Sequence, residues 1–273
     1  MKKLLLVLLL LIVGCSDKLE SEFKETSLGV YAETFDQISS FSQVYEMSKN
    51  NVDTVYIQAG LDEYTETHLL ETMPHVYSTT VKAINKYNMN AYALLDSKHW
   101  LTNSDQALNE IKNVLDYNSN FNSDKLKGVN INIETTSATE ADLQKYIYNL
   151  KKARELIDVH NNKTKDNFSL SISLTRDNVE SLVKEVVNEV DKIIFTGKLD
   201  SIIEDGEKIL SMMDEYNKDV EVIVSSELFN KGKIEMLNVI NDCLSTFNEY
   251  DSFNGFVIDN YLHYSEFVQE KRP

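Results

Sequence analysis

From Leu28 onward, short segments that alternate apolar and polar residues are separated by longer ones whose apolar residues recur every three or four positions. Alternation at period two marks a strand with two different faces, and the longer spacing marks an amphipathic helix. The pattern predicts strands over Gly29–Thr34, Thr54–Ala59, Asn90–Asp96, Gly128–Glu134, Phe168–Leu174, Lys192–Thr196, Val220–Ser225 and Phe253–Asp259. Helices are predicted to follow each in turn: Asp36–Asn50, Val76–Tyr87, Asp105–Tyr117, Glu140–Val159, Asp177–Val190, Ser201–Tyr216, Lys233–Tyr250 and a short Tyr261–Glu270. In the longest of these, Leu143, Tyr146, Ile147, Leu150, Ala153 and Leu156 share one face. Eight strands alternating with eight helices predict an α/β protein built as a single (β/α)8 TIM barrel. An open doubly wound sheet is the alternative, but the first strand is not followed by a glycine-rich nucleotide turn.

In such a barrel one parity of each strand points at the helices and the other fills the lumen. The fourth strand sets the parity, because Val129, Ile131 and Ile133 share one face while Asn130, Asn132 and Glu134 share the other. The same polar parity holds Tyr31 and Glu33, Tyr56 and Gln58, Tyr92 and Asp96, Ser169, Ser171, Ser173 and Thr175, Thr196, Ser225 and Glu227, and Asp259. Their C-terminal members would gather at the mouth where barrels of this kind hold their chemistry. Burying a carboxylate without partners costs several kcal/mol, so acids and amides placed together there are either hydrogen-bonded or useful. Trp100, the only tryptophan, closely follows Asp96; its ring would either stack on a sugar at the mouth or pack beneath its own loop.

Residues 1–14 stand apart from this rhythm. Lys2 and Lys3 precede an apolar run from Leu4 to Leu11, too short to span a bilayer, and Gly14-Cys15 follows. The segment resembles a bacterial lipoprotein signal. That resemblance implies cleavage before Cys15, lipidation of Cys15 and a location in the bacterial cell envelope, outside the cytoplasm and anchored to the membrane. Residues 15–27 would then form a polar tether and 28–273 the barrel domain. With Cys15 acylated, Cys243 is the remaining thiol, and its amphipathic helical setting points to a buried, inert side chain.

The formal charge of −17 excludes a nucleic-acid partner, since no basic stripe is present. No His-x-His, His-x-x-x-His or Cys/His cluster occurs, so no metal site or cofactor is expected. The Gly-x-Ser-x-Gly and phosphate-loop patterns are missing too.

Lys127-Gly128-Val129-Asn130-Ile131-Asn132-Ile133-Glu134 is similar to the fourth-strand motif of family-18 glycoside hydrolases, the chitinase-like barrels, which reads Asp-Gly-x-Asp-x-Asp-x-Glu. The resemblance implies that Glu134 is the general acid/base that protonates the leaving oxygen while the substrate's own acetamido group attacks the anomeric carbon. Asn132 would orient that group, where the family places an aspartate. An Asn-x-Glu pair with that task resembles the family-85 endo-N-acetylglucosaminidases. Tyr31, Glu33, Gln58, Asp96, Trp100, Asn130 and Asp259 would contact the substrate, an N-acetylhexosamine-containing glycan. The chain departs from family 18 at Lys127, Asn130 and Asn132, at Phe195-Thr196-Gly197 in place of a Tyr-Asp pair, and at Val257-Ile258-Asp259 in place of a tryptophan. Those departures motivate the alternative of a catalytically inactive barrel that binds a glycan or another partner. A glycosidase with two carboxylates, Glu134 with Glu33, Asp96, Glu227 or Asp259, is a third possibility.

Overall fold

The computed structural model describes residues 26–32, 41–50, 52–62, 67–175, 179–197, 199–225 and 233–261. Its strands are β1 (Ser27–Ala32), β2 (Thr54–Gln58), β3 (Leu61–Asp62), β4 (Thr67–His68), β5 (Asn90–Leu95), β6 (Gly128–Asn132), β7 (Ser169–Thr175), β8 (Lys192–Thr196), β9 (Asp219–Val224) and β10 (Phe253–Ile258). All but the β3–β4 ribbon close into one parallel barrel, in the order β1-β10-β9-β8-β7-β6-β5-β2. The expected (β/α)8 architecture is therefore the observed one. The fourth barrel strand stops at Asn132, two residues short of its expected end, and the following helix opens at Glu140 as expected but runs on to Thr164. The β3–β4 ribbon and the short helix His99–Thr102 carried no periodic signal, being too short to show one. Cys15, Glu33, Glu227 and the last expected helix beyond Tyr261 lie outside the described residues.

The helix after β6 shows how local sequence fixes these boundaries. Thr139 and Asp142 form a reciprocal capping box, each satisfying a backbone N–H of the other. The Thr139 hydroxyl, donating to Asp142 Oδ2 at 2.7 Å, and then the Thr139 N–H hold the Asp142 carboxyl below its usual range. The helix runs Glu140–Thr164, buries Tyr146, Ile147, Leu150, Ala153 and Ile157 at helical spacing, and ends where Lys165 turns left-handed at φ 64°.

Strand parity divides the apolar residues into two bodies. Val129, Ile131, Leu170, Ile172, Ile193, Phe195, Val220 and Val222 face outward and join the helices in the main core. Inside the barrel, Tyr31, Tyr56, Leu94, Ile194, Ile223 and Val257 form a separate cluster, with Tyr92 packed against it. The lumen is thus less polar than strand parity alone suggested, because four strands each contribute an aliphatic residue to the layer beneath the mouth.

At the floor of the barrel lies Glu221, with no exposed surface. Lys192 donates to its Oε1 at 2.6 Å, Ser27 donates to the same oxygen at 3.0 Å, and Tyr56 donates to Oε2 at 2.7 Å. Asn254 adds a longer contact at 3.3 Å. Burial alone would pull the Lys192 ammonium down, but its charge interactions with Glu221 and Tyr92 and its hydrogen bond to Glu221 outweigh it and the group is raised. Two glycines make room nearby. A Cβ on Gly128 would lie 2.6 Å from both the Ser169 carbonyl oxygen and Tyr92 Cε1, and Gly255 has φ 151° where its backbone crowds that of Ser27.

Removing one partner of a buried ion pair strands the other charge, at a cost of about 3–5 kcal/mol. Lys192→Met should therefore lower the urea midpoint strongly, and adding Glu221→Gln should restore part of the loss. Asp53, at the same end of the barrel, accepts from the Leu28 N–H and the Thr54 hydroxyl, yet burial raises its carboxyl to about 6. The folded state then holds this proton more tightly than the unfolded chain, so the associated stability is full below the ordinary aspartate range and is lost as pH rises through about 6. Replacing it by Asp53→Asn should flatten the stability profile between pH 4 and 7 by on the order of 1–2 kcal/mol, measured by denaturation at each pH.

Candidate functional site

The C-terminal ends of the barrel strands carry the candidate site. Asn132 closes β6 and is half-buried, and Glu134, two residues further along the same face, is exposed. Ile133 and Thr135 on either side of Glu134 are buried, so the alternation of buried and exposed residues continues past the last ladder bond. Thr136 donates its hydroxyl to Glu134 Oε1 at 2.7 Å, and the Ala138 N–H bonds back to the Thr135 carbonyl to close the turn. An exposed acid fixed on a short turn at the end of a strand can give and take protons with a bound molecule.

Gln58 ends β2 and is half-buried, while Asp96 follows β5 and is exposed. Gln58 Nε2 donates to Asp96 Oδ1 at 2.7 Å, so an amide and a carboxylate from adjacent strands are joined at the mouth. Asp259, just past β10, is half-buried. In the barrel order β10 stands four strands from β6, so Asp259 lies across the mouth from Asn132.

Three of the expected contact residues are corrected. Asn130 is completely buried and Tyr31 is 2% exposed, so neither offers a surface to a ligand. They belong to a chain of hydrogen bonds inside the barrel. Tyr31 and Ser173 share a 2.7 Å bond, Ser173 donates to Asn130 Oδ1 at 3.0 Å, Asn130 Nδ2 donates to Ser171 at 3.2 Å, and Ser171 donates to the Val129 carbonyl. Burial pushes the Tyr31 phenol far up, which keeps it a neutral donor. This web supports β6 directly below Asn132. Trp100 is also completely buried: its Nε1 donates to Glu110 at 2.9 Å, its carbonyl accepts from Asn149, and its ring meets Tyr146 edge-on. A ring with no exposed face cannot stack on a sugar, and of the two roles open to it in the sequence the packing one is observed.

The sequence reading passed over Lys192 and Glu221. They are 29 positions apart, and the only signal was that both carry lumen parity. Among the described residues, no group of His, Cys, Asp or Glu is arranged to hold a metal ion. No described helix is long and apolar enough to cross a membrane. Cys243 is buried, and burial raises its thiol to about 12, as expected of an inert side chain.

Neither a family model nor a curated protein sequence matches the chain. Its fold does match solved structures. A chitinase from Ipomoea carnea superposes with a TM-score of 0.60 at 11% identity, over 89% of this chain and 98% of that one. A family-18 chitinase from Cycas revoluta, solved in complex with (GlcNAc)3, gives 0.62 at 7% identity over 90% and 98%. A chitinase from Bacteroides thetaiotaomicron gives 0.59 at 9% identity over 88% and 91%. At such identities the likeness establishes a shared barrel fold, with each partner covered almost from end to end.

Proposed function

We propose that this protein is a membrane-anchored glycoside hydrolase acting on an N-acetylhexosamine-containing glycan. What supports the reading is Asn132 at the C-terminal end of β6, with Glu134 exposed two residues beyond it, in a barrel whose fold chitinases share. Glu134 gives its proton to the leaving oxygen as the substrate's acetamido carbonyl attacks the anomeric carbon. Its carboxylate then draws a proton from the water that opens the cyclic intermediate. Asn132 holds the acetamido group in line for attack, a task an amide can perform through its own donor and acceptor. The half-buried position of Asn132 suits this, since it limits competing water while leaving the amide within reach.

A second reading, a binding protein without turnover, is favoured by Lys127, Asn130 and Asn132 standing where the resembling motif has acids. The two separate in one assay. Chitooligosaccharides and N-glycans are incubated with the protein across a broad pH range, and products and binding are both measured. Hydrolysis by the native chain, lowered about 10²- to 10⁴-fold in Glu134→Gln with an unchanged melting curve, supports the hydrolase. Binding with no product at any pH supports the second reading. For the anchor, Cys15→Ser should move the protein from the detergent phase to the aqueous phase on phase partition; retention in the detergent phase would remove Cys15 as the lipid site.

A further inference from the structure

We infer that the outer face shared by the helices Phe41–Lys49 and Pro74–Lys86 docks the folded domain on an anionic lipid surface. Both helices end at the floor of the barrel. The Val52 N–H bonds to the Met47 carbonyl where the first gives way to β2, and Asn88, at φ 60°, turns the second into β5. The Asn90 N–H then bonds to the Asp53 carbonyl, and the Asp53 N–H to the Leu28 carbonyl. The two helix ends therefore lie beside the point where the chain enters β1. Tyr45 of the first helix meets Tyr87, which ends the second, with ring centroids 5.5 Å apart. Phe41 stands one turn from Tyr45 on the same face. Its side chain is 56% exposed and that of Tyr45 40%. Lys49 sits over the Tyr45 ring at 4.4 Å and Lys86 over the Tyr87 ring at 5.8 Å. Lys82, also exposed, is one turn from Lys86.

Charge identifies what this face would meet. The chain carries 44 acidic residues against 27 lysines and arginines. These two helices reverse that balance, holding Lys49, Lys82 and Lys86 against Glu46 alone, and Glu46 is half-buried. A lysine in a last turn also complements the helix dipole, but that task leaves the exposed Phe41 and Tyr45 rings unaccounted for. Aromatic rings flanked by lysines suit the boundary of a bilayer. The rings settle at headgroup level, and the ammonium groups reach the phosphates of anionic lipids on their flexible stems.

The position of the face fits such a partner. Residues 16–26 separate Ser27 from the proposed lipid site at Cys15. A chain of that length reaches at most about 40 Å, so an anchored domain keeps its floor within that distance of the headgroups. Contact by the helix face is then an intramolecular step, and a modest affinity suffices to hold it. Seated in this way, the domain meets the lipid on the β2 and β5 side of its floor, while Asn132 lies at the opposite end of its strand. The face itself needs no acyl chain, so the inference goes beyond the anchor and can be tested without it.

The test uses the full chain with Cys15→Ser, incubated with vesicles of phosphatidylcholine alone or mixed with phosphatidylglycerol. Whatever residues 1–26 contribute is common to every variant, so differences between variants read the folded domain. Sedimentation with vesicles should be stronger when phosphatidylglycerol is present and should weaken as salt is added. Lys49→Gln, Lys82→Gln and Lys86→Gln together should lower partition into the anionic vesicles at least about tenfold. Phe41→Ser should lower partition as well; Phe41 is chosen over Tyr45 because Tyr45 packs on Tyr87. Both variants should melt like the parent. Tyr148→Ser with Val159→Ser, which removes exposed apolar side chains from another helix, should leave partition unchanged. Undiminished partition in the lysine variant, no preference for phosphatidylglycerol, or an equal loss in the Tyr148 and Val159 variant overturns the proposal. So does a dimer in sedimentation equilibrium that Phe41→Ser breaks, since the face then belongs to a second copy. None of these results bears on Glu134 or on acylation of Cys15, because neither enters the assay.

Discussion

The barrel depends on a charged group in its interior being completely partnered. A parallel barrel leaves its lumen to be filled by side chains alone, and in this chain that filling includes Glu221 with no contact to solvent. Desolvating a carboxylate costs several kcal/mol even after relaxation. Here Lys192, Tyr56, Ser27 and Asn254 converge on its two oxygens from four strands of the floor. Each of those donors is fixed by the register of a different strand. The ion pair is therefore satisfied only when the strands close in the observed order, and it ties closure of the ring to one particular stagger.

Above that floor the filling changes character in layers. Tyr31, Tyr56 and Tyr92 pack edge to face or tilted, with ring centroids 5.1–5.4 Å apart, and Leu94, Ile194, Ile223 and Val257 add aliphatic bulk. The Asn130 web lies in the same region and includes Ser173, whose ladder partner is Asn132. A rigid second tier beneath the mouth matters for any chemistry placed there, because an amide that orients a reacting group has to be held to within about 0.5 Å.

Much of this was legible in the amino-acid sequence, for reasons that differ from residue to residue. The alternation Val129-Asn130-Ile131-Asn132-Ile133-Glu134 announces a two-faced strand because the side-chain period of a strand is fixed by its geometry. Strand count followed from repeating that test along the chain. Depth within the lumen did not, since parity says which way Tyr31, Asn130 and Asn132 point but not how far each stands from the opening. Trp100 shows the same limit: proximity to Asp96 in sequence is plain, whereas its burial depends on Glu110 and Asn149 arriving from two other helices. Strand ends were missed by one or two residues where polar residues carry the alternation past the last ladder bond, as at Glu134.

The direction of the strands has a consequence for how the molecule would be moored. All the barrel strands are parallel, so the edge at which the chain enters β1 is the floor, where Ser27 meets Glu221 and Gly255. Under the proposed anchor, the chain would enter the barrel at Ser27, at the end opposite the opening. Fixed to a bilayer in that way, the molecule would present Asn132, Glu134 and Asp96 outward, to polymers arriving from the surroundings rather than to headgroups of the lipid beneath it.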